Sequence, residues 1–163
     1  MRRLVTALVG VVSLALMGSA AAQGGKQIVG LWQLVSDSNT QDGVTKKGMG
    51  FGSNPKGQFL FTSNGHYMSI NTRSDIPKFA SGNRMKGTAE ENRAVVHGSI
   101  AHFGTYSVTP DGKAFILKVE GGTWPAWVGA EQKREFTIKG DQLTYSVVSS
   151  VGGTSELVYK RVK

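Results

Sequence analysis

The chain contains no cysteine and only four prolines in 163 residues. Without thiols there is no disulfide, no zinc–thiolate cluster and no cysteine nucleophile, so a folded domain of this kind must be held by burial of its core. Other chemical signatures are missing too. There is no HExxH, no G-x-S-x-G elbow and no cluster of carboxylates. The three histidines are His66, His97 and His102, and positions five apart on a helix do not share a face, so His97 and His102 make poor joint ligands. No metal and no cofactor is expected. Gly48-x-Gly50-x-Gly52 lacks the helix and the Lys-Ser/Thr pair of a phosphate loop and reads instead as a glycine-rich edge strand.

The formal charge of +8 is spread along the chain in short pieces such as Lys46-Lys47, Lys133-Arg134 and Lys160-Arg161. A nucleic-acid patch needs basic residues gathered together with exposed stacking aromatics, so no nucleic-acid partner is expected. The longest apolar run lies at the amino terminus, where Arg2-Arg3 precede Leu4 to Met17 and a small-residue tail ends in Ala20-x-Ala22. A run this short falls below the ~20 residues of a membrane span and reads as a secretory signal peptide cleaved after Ala22. The expected organisation is residues 1–22 as signal and residues 23–163 as one domain, periplasmic or secreted, with no stable membrane span after cleavage. The sequence is silent on oligomeric state.

Past a flexible leader, Gln23 to Gln27, the chain reads as short alternating segments divided by turn residues. Expected strands cover Ile28 to Ser36, a glycine-rich Val44 to Phe51, Gln58 to Thr62, His66 to Thr72, Thr105 to Val108, Ala114 to Glu120, Glu131 to Ile138, Leu143 to Val147 and Thr154 to Val162. Asn64-Gly65 is a strong hairpin signal. Thr88-Ala89-Glu90-Glu91 is a capping-box pattern, predicting a helix that runs on through Val96 to Ala101. About eight antiparallel strands with short turns and one short helix imply an all-β fold, an up-and-down barrel in preference to a sandwich.

In the stretch from Trp124 to Ile138, and on to Lys139, one row of alternate residues from Glu131 is almost wholly charged, Glu131, Lys133, Glu135, Thr137 and Lys139. The other is Gln132, Arg134, Phe136 and Ile138. Arg134 thus shares a face with apolar side chains and requires an acceptor, because an unpartnered buried guanidinium is very costly. The acceptor would be Glu120, Glu91, loop carbonyls, or the oxyanion of a ligand. Tyr67, Ser69, Asn71 and Arg73 alternate with His66, Met68 and Ile70, and the alternation does not say which row faces inward. Trp124 and Trp127 flank Pro125 and are either a stacking lid or ordinary packing.

Gly30-x-Trp32 on the first strand with Arg161 on the last resembles the lipocalin and calycin signature, which implies an arginine lying across the tryptophan to close one end of a barrel. The ordered set Gly30-Leu31-Trp32-Gln33-Leu34-Val35-Ser36, Asn54-Pro55-Lys56-Gly57, Asn64-Gly65-His66-Tyr67-Met68-Ser69, Gly87-Thr88-Ala89-Glu90-Glu91, Gly104-Thr105-Tyr106, Trp124-Pro125-Ala126-Trp127-Val128-Gly129 with Glu131-Gln132-x-Arg134, and Gly140-Asp141-Gln142-Leu143-Thr144 resembles the bacterial and fungal lipocalin-like domain family from about residue 28 to the end. His66 interrupts the Gly-Tyr-Met-Ser pattern usual there. The resemblance implies a barrel with a cavity and no fixed reaction or ligand.

The expected function is binding of a small hydrophobic or amphipathic molecule, anionic or carbonyl-bearing, in the barrel cavity. Its candidate ligand-binding residues are Arg134, Gln132, Trp124, Trp127, Tyr67, Tyr106, Tyr145 and His66, with no catalytic residue assigned. Gly30, Trp32 and Arg161 are the candidate closure residues. Two alternatives stand beside this one. They are a cofactor-free isomerase or cyclase using a tyrosine or His66 as proton donor, and a structural envelope protein with a filled interior.

Overall fold

A computed structural model describes residues 25–163; residues 1–22, read above as a signal peptide, lie outside them. Residues 25–28 are helical, where the flexible leader to Gln27 and the start of the first strand at Ile28 were expected, and Ile28 is fully buried. Nine strands follow: β1 Gly30–Gln41, β2 Val44–Lys47, β3 Lys56–Phe61, β4 His66–Thr72, β5 Ser99–Val108, β6 Ala114–Gly122, β7 Glu131–Lys139, β8 Gln142–Val148 and β9 Thr154–Arg161. All pairings are antiparallel. β3 to β9 pair in sequence order, β1 lies between β3 and β9, and eight strands thereby close into a barrel. β2 is the ninth, a short exposed strand that pairs with the far half of β1 where β3 has ended.

Alternation decides what enters the barrel. On β3 Gly57, Phe59 and Phe61 are buried; on β7 Arg134 and Phe136; on β8 Leu143 and Tyr145; on β9 Leu157 and Tyr159. On β4 the inward row is Tyr67, Ser69 and Asn71, while His66, Met68 and Ile70 are exposed. Phe59 sits at the centre of the packed half. It stacks on Phe61 at 4.1 Å and meets Phe115, Tyr145 and Tyr159 edge to face near 6 Å.

One end is shut by the first and last strands. The Arg161 guanidinium lies 4.0 Å over the Trp32 ring, and Trp32 Nε1 donates to the Ile28 carbonyl at 2.7 Å. Arg161 also donates to the carbonyls of Val29 and Gln27. A Cβ at Gly30 would crowd the same guanidinium.

Three expected elements differ. The helix, α1, is Ala89–Gly98 and stops there; Ile100 and Ala101 belong to β5, whose residues from Ser99 pair with β4 from Thr72. Gly98 packs closely against the Ile76 and Arg73 side chains, which a Cβ there would crowd, and the ladder to β4 outweighs helical continuation. The second strand ends at Lys47. Residues 48–51 form a turn in which Gly48 and Gly52 take positive φ and Gly52 N donates to Gly48 O, so the glycines serve a loop and not an edge strand. The first strand runs five residues beyond Ser36.

The start of α1 is as read. Thr88 Oγ1 accepts from Glu91 N and Glu91 Oε2 accepts from Thr88 N, while Glu91 Oε1 accepts from Ala80 N. The two backbone donors, Ala80 first, hold the Glu91 carboxyl below its ordinary range. Glu91 therefore ties the long loop of residues 73–88 to the helix. Thr88→Ala should cost about 1 kcal/mol and raise amide exchange at Ala80 and through the first turn of α1; unchanged exchange there would mean that the cap does not hold the loop.

Candidate functional site

Opposite the Trp32–Arg161 end the barrel is open, and a cavity of about 970 Å³ enters it. Its mouth is framed by Met49 to Phe51, by Val95 to Ser99 of α1 and the start of β5, by Trp124, and by Val148 to Val151 of the β8–β9 hairpin. Its inner lining includes Asn71, His102, Trp127, Arg134, Tyr145, Val147 and Leu157. The wall is mostly apolar with a few polar groups, the usual composition of a small-molecule site.

Arg134 is 2% exposed. Its Nη2 donates to Gln132 Oε1 at 2.7 Å and its Nη1 to the Tyr145 hydroxyl at 3.2 Å. The guanidinium carbon is 5.2 Å from the Tyr145 ring centre and 5.8 Å from that of Trp127. Nε has no partner. Neither expected carboxylate meets it. Glu91 is occupied in the helix cap, and Glu120 is exposed at a bulge, where Phe103 pairs with Gly121 and Gly104 with Val119. The ion pairs among the described residues, Arg73–Asp75, Arg161–Asp141 and Lys163–Asp141, leave Arg134 out.

A polar chain continues from Arg134. Tyr145 and Tyr159 hydroxyls lie 3.4 Å apart, and Tyr159 donates to Asn71 Oδ1 at 2.9 Å. Gly57 makes room for that amide, since a Cβ there would collide with Asn71 Oδ1 and the Ile70 carbonyl. Burial pushes the Tyr159 phenol well above its ordinary range, so it stays a neutral donor. Beside this chain His102 Nδ1 is 3.0 Å from the Tyr67 hydroxyl, and Trp127 meets the His102 ring edge to face at 5.4 Å. Burial, and then the charge of Arg134, lower the His102 pKa to about 3; burial raises that of Tyr67 to about 12. Both are neutral near pH 7.

The expected ligand residues divide accordingly. Arg134, Tyr145, Trp124 and Trp127 border the cavity and Gln132 holds Arg134. Tyr67 is buried behind His102. Two are corrected. Tyr106 donates to the Thr62 carbonyl and packs edge-on against Phe61 at 4.9 Å, beside the β3–β4 turn and away from the mouth. His66 begins β4 at that same turn and points outward, because its neighbour Tyr67 takes the inward place.

Two buried polar residues of β1 were not anticipated, and one of them, Asp37, borders the cavity. Asp37 and Asn39 are buried, at 6% and 2% exposure. Strict alternation from Trp32 and Leu34 would turn Ser36 and Ser38 inward, yet a bulge between Leu34 and Ser36 adds one residue against β9 and reverses the phase. Asp37 thus borders the cavity, and its Oδ2 accepts from Gly50 N at 2.9 Å. Asn39 donates to the Gly152 carbonyl and to Ser155 Oγ. The only sequence signal was a carboxylate and two amides in a strand otherwise suited to burial.

Among the described residues no three His, Asp or Glu side chains converge as a metal site, and no helix is long and apolar enough to cross a membrane.

Among solved structures, a redesigned beta barrel is 15% identical over 86% of this chain and 96% of that one, with a TM-score of 0.44. A de novo designed fluorescence-activating beta barrel is 12% identical over 85% and 97%, with a TM-score of 0.43. A search of curated proteins finds no match. A closed eight-stranded barrel, shut by Trp32 and Arg161 and open over a cavity at its other end, is accompanied by a family-model match, described as "Lipocalin-like domain", over residues 29–161: the chain belongs to the lipocalin-like domain family.

Proposed function

We propose that this is an exported protein that holds a small, partly apolar molecule in the barrel cavity, with an anionic or carbonyl group of that molecule turned to Arg134. The observation that carries the reading is a guanidinium at 2% exposure, at the edge of a cavity, with no carboxylate in ion-pair contact among the described residues. Taking a charge out of water without a counter-charge is costly, and two aromatic faces and two neutral acceptors offset only part of that cost. An oxyanion or carbonyl oxygen arriving through the apolar mouth would supply the rest. Export rests on the amino-terminal pattern of Arg2-Arg3, an apolar run and Ala20-x-Ala22.

Arg134→Met tests the reading. Titration with anilinonaphthalene sulfonate, an anionic apolar probe, should show affinity reduced at least about tenfold, equivalent to about 1.4 kcal/mol. A neutral apolar dye should bind both proteins alike, and the urea midpoint should hold or rise, since an uncompensated charge has been removed. Equal binding of the anionic probe by both proteins would overturn the assignment.

One observation favours a second reading, a cofactor-free isomerase or cyclase. The Tyr67–His102 pair lies next to the Arg134 charge and could pass a proton at a polarised carbonyl. His66, on the outer face, has no part in it. Return of a carbonyl ligand as an altered product, lost in His102→Gln, would select this reading over simple binding.

A further inference from the structure

The bulge in β1 has a chemical result. It carries Asp37 into the barrel three strands from β7, on which Arg134 lies. The pairings run Asp37 to Leu157, Leu157 to Tyr145 and Tyr145 to Phe136, and Arg134 is the next inward residue along β7 from Phe136. Three strand spacings are about 14 Å around the wall, and in an eight-stranded barrel that separation places the two strands well apart across the interior. Both side chains border the same cavity.

Asp37 is not satisfied by its surroundings. One carboxylate oxygen accepts from Gly50 N; the other is buried with no partner among the described residues. Arg73 also borders the cavity and its charge acts on Asp37 at a distance, but it makes no hydrogen bond to Asp37: its Nε and Nη2 are committed to Asp75 at 2.8 and 2.7 Å. Nothing in the loop that Asp37 holds requires the residue to be charged, since an amide oxygen would accept from Gly50 N equally well. A buried carboxylate with an unused oxygen at one side, and a buried guanidinium without a carboxylate at the other, form a cavity with two poles of opposite sign separated by the apolar surface of Val147, Leu157 and Trp127.

We infer that the ligand is two-ended. An elongated apolar molecule carries an anionic or carbonyl group for Arg134 and, at its other end, an ammonium or hydroxyl donor for Asp37. This rests on the proposed binding function and adds the second end. Free carboxylate oxygens act as acceptors, so the group they select is a donor, and a second anion there would be repelled.

A matched series of straight-chain acids tests it, using octanoate, decanoate and dodecanoate against their ω-hydroxy and ω-amino counterparts, with binding read by displacement of anilinonaphthalene sulfonate. At one chain length the wild-type protein should bind an ω-hydroxy or ω-amino acid at least about tenfold more tightly than the plain acid. A preference confined to the amino series would name an ammonium, and one shared with the hydroxy series a hydroxyl. Asp37→Asn, which keeps the acceptor for Gly50 N, should abolish that preference while leaving affinity for the plain acid within about twofold. Arg134→Met should weaken all the acids. Plain acids that bind at Arg134 with no gain from an ω-donor, or a preference that survives Asp37→Asn, would overturn the second pole and leave the first intact. Failure of every acid to bind would instead remove the binding function itself.

Discussion

Trp32→Ala is expected to lower the stability of the barrel by about 3–5 kcal/mol, read as a shift in the urea midpoint. The ring is fully buried and performs three tasks that alanine cannot. It fills the closed end, its N–H satisfies the Ile28 carbonyl, and its face receives the Arg161 guanidinium at 4.0 Å. Removing it leaves a void, an acceptor without a donor and a cation without its platform. Because small domains are stable by only about 5–15 kcal/mol, the variant should stand near its unfolding threshold at growth temperature. Trp32→Phe divides the effect: keeping the ring but losing the N–H should cost about 1–3 kcal/mol. A loss below about 1 kcal/mol for Trp32→Ala would show that the end is closed by backbone pairing alone.

Acid should unfold this protein earlier than its carboxylates require, and His102 is the reason. The imidazole has a folded pKa of about 3 against an ordinary 6.5, chiefly from burial and next from the charge of Arg134. The groups facing it are the neutral Tyr67 phenol and that guanidinium, and neither offers a negative charge to an imidazolium. Between pH 6.5 and 3 the unfolded chain binds a proton that the folded chain refuses, so stability falls as pH falls through that window. The loss should reach roughly 3 kcal/mol by about pH 4.5 and at most roughly 4–5 kcal/mol near pH 3. The surface carboxylates Asp75, Glu91, Asp111 and Asp141, held low by their hydrogen-bond partners, add their own loss only as pH drops toward and below their ordinary range near 4. His102→Gln should therefore flatten the urea midpoint between pH 6.5 and 4.5 while leaving the steeper fall below pH 4. Parallel profiles for the two proteins would show that the imidazole is reached by water when protonated.

Much of the barrel was legible because it depends on local rules. Alternation on β7 put Arg134 and Phe136 on one face, Asn64-Gly65 marked a hairpin, and the capping box marked the first turn of α1. What escaped depends on pairing between distant segments. The far end of the predicted helix became strand because β4 required a partner from Thr72 onward. The inward row of β4 could not be told from the outward one, since a tyrosine, a serine and an asparagine alternate there with a histidine, a methionine and an isoleucine, and hydrophobicity points the wrong way. Asp37 was hidden by a single extra residue, for a bulge is a property of two strands and one strand's sequence does not display it. Tyr106 and His66 were grouped with the cavity on residue type alone, whereas the end of the barrel a residue occupies depends on its place along the strand.

The seam between β1 and β9 has a bearing on how the molecule is made. Trp32 and Arg161, register partners there, are separated by nearly the whole described chain. Neighbouring hairpins can zip up as they emerge, but the side of β1 that faces β9 has nothing to pair with until β9 itself has been synthesised. Contacts this remote in sequence are slow to find, on the scale of milliseconds to seconds for comparable β-topologies. A fragment lacking β9 would expose an open edge along β1 and β8, so completion of the barrel is expected to await β9, and truncation before it should yield aggregate and no smaller barrel.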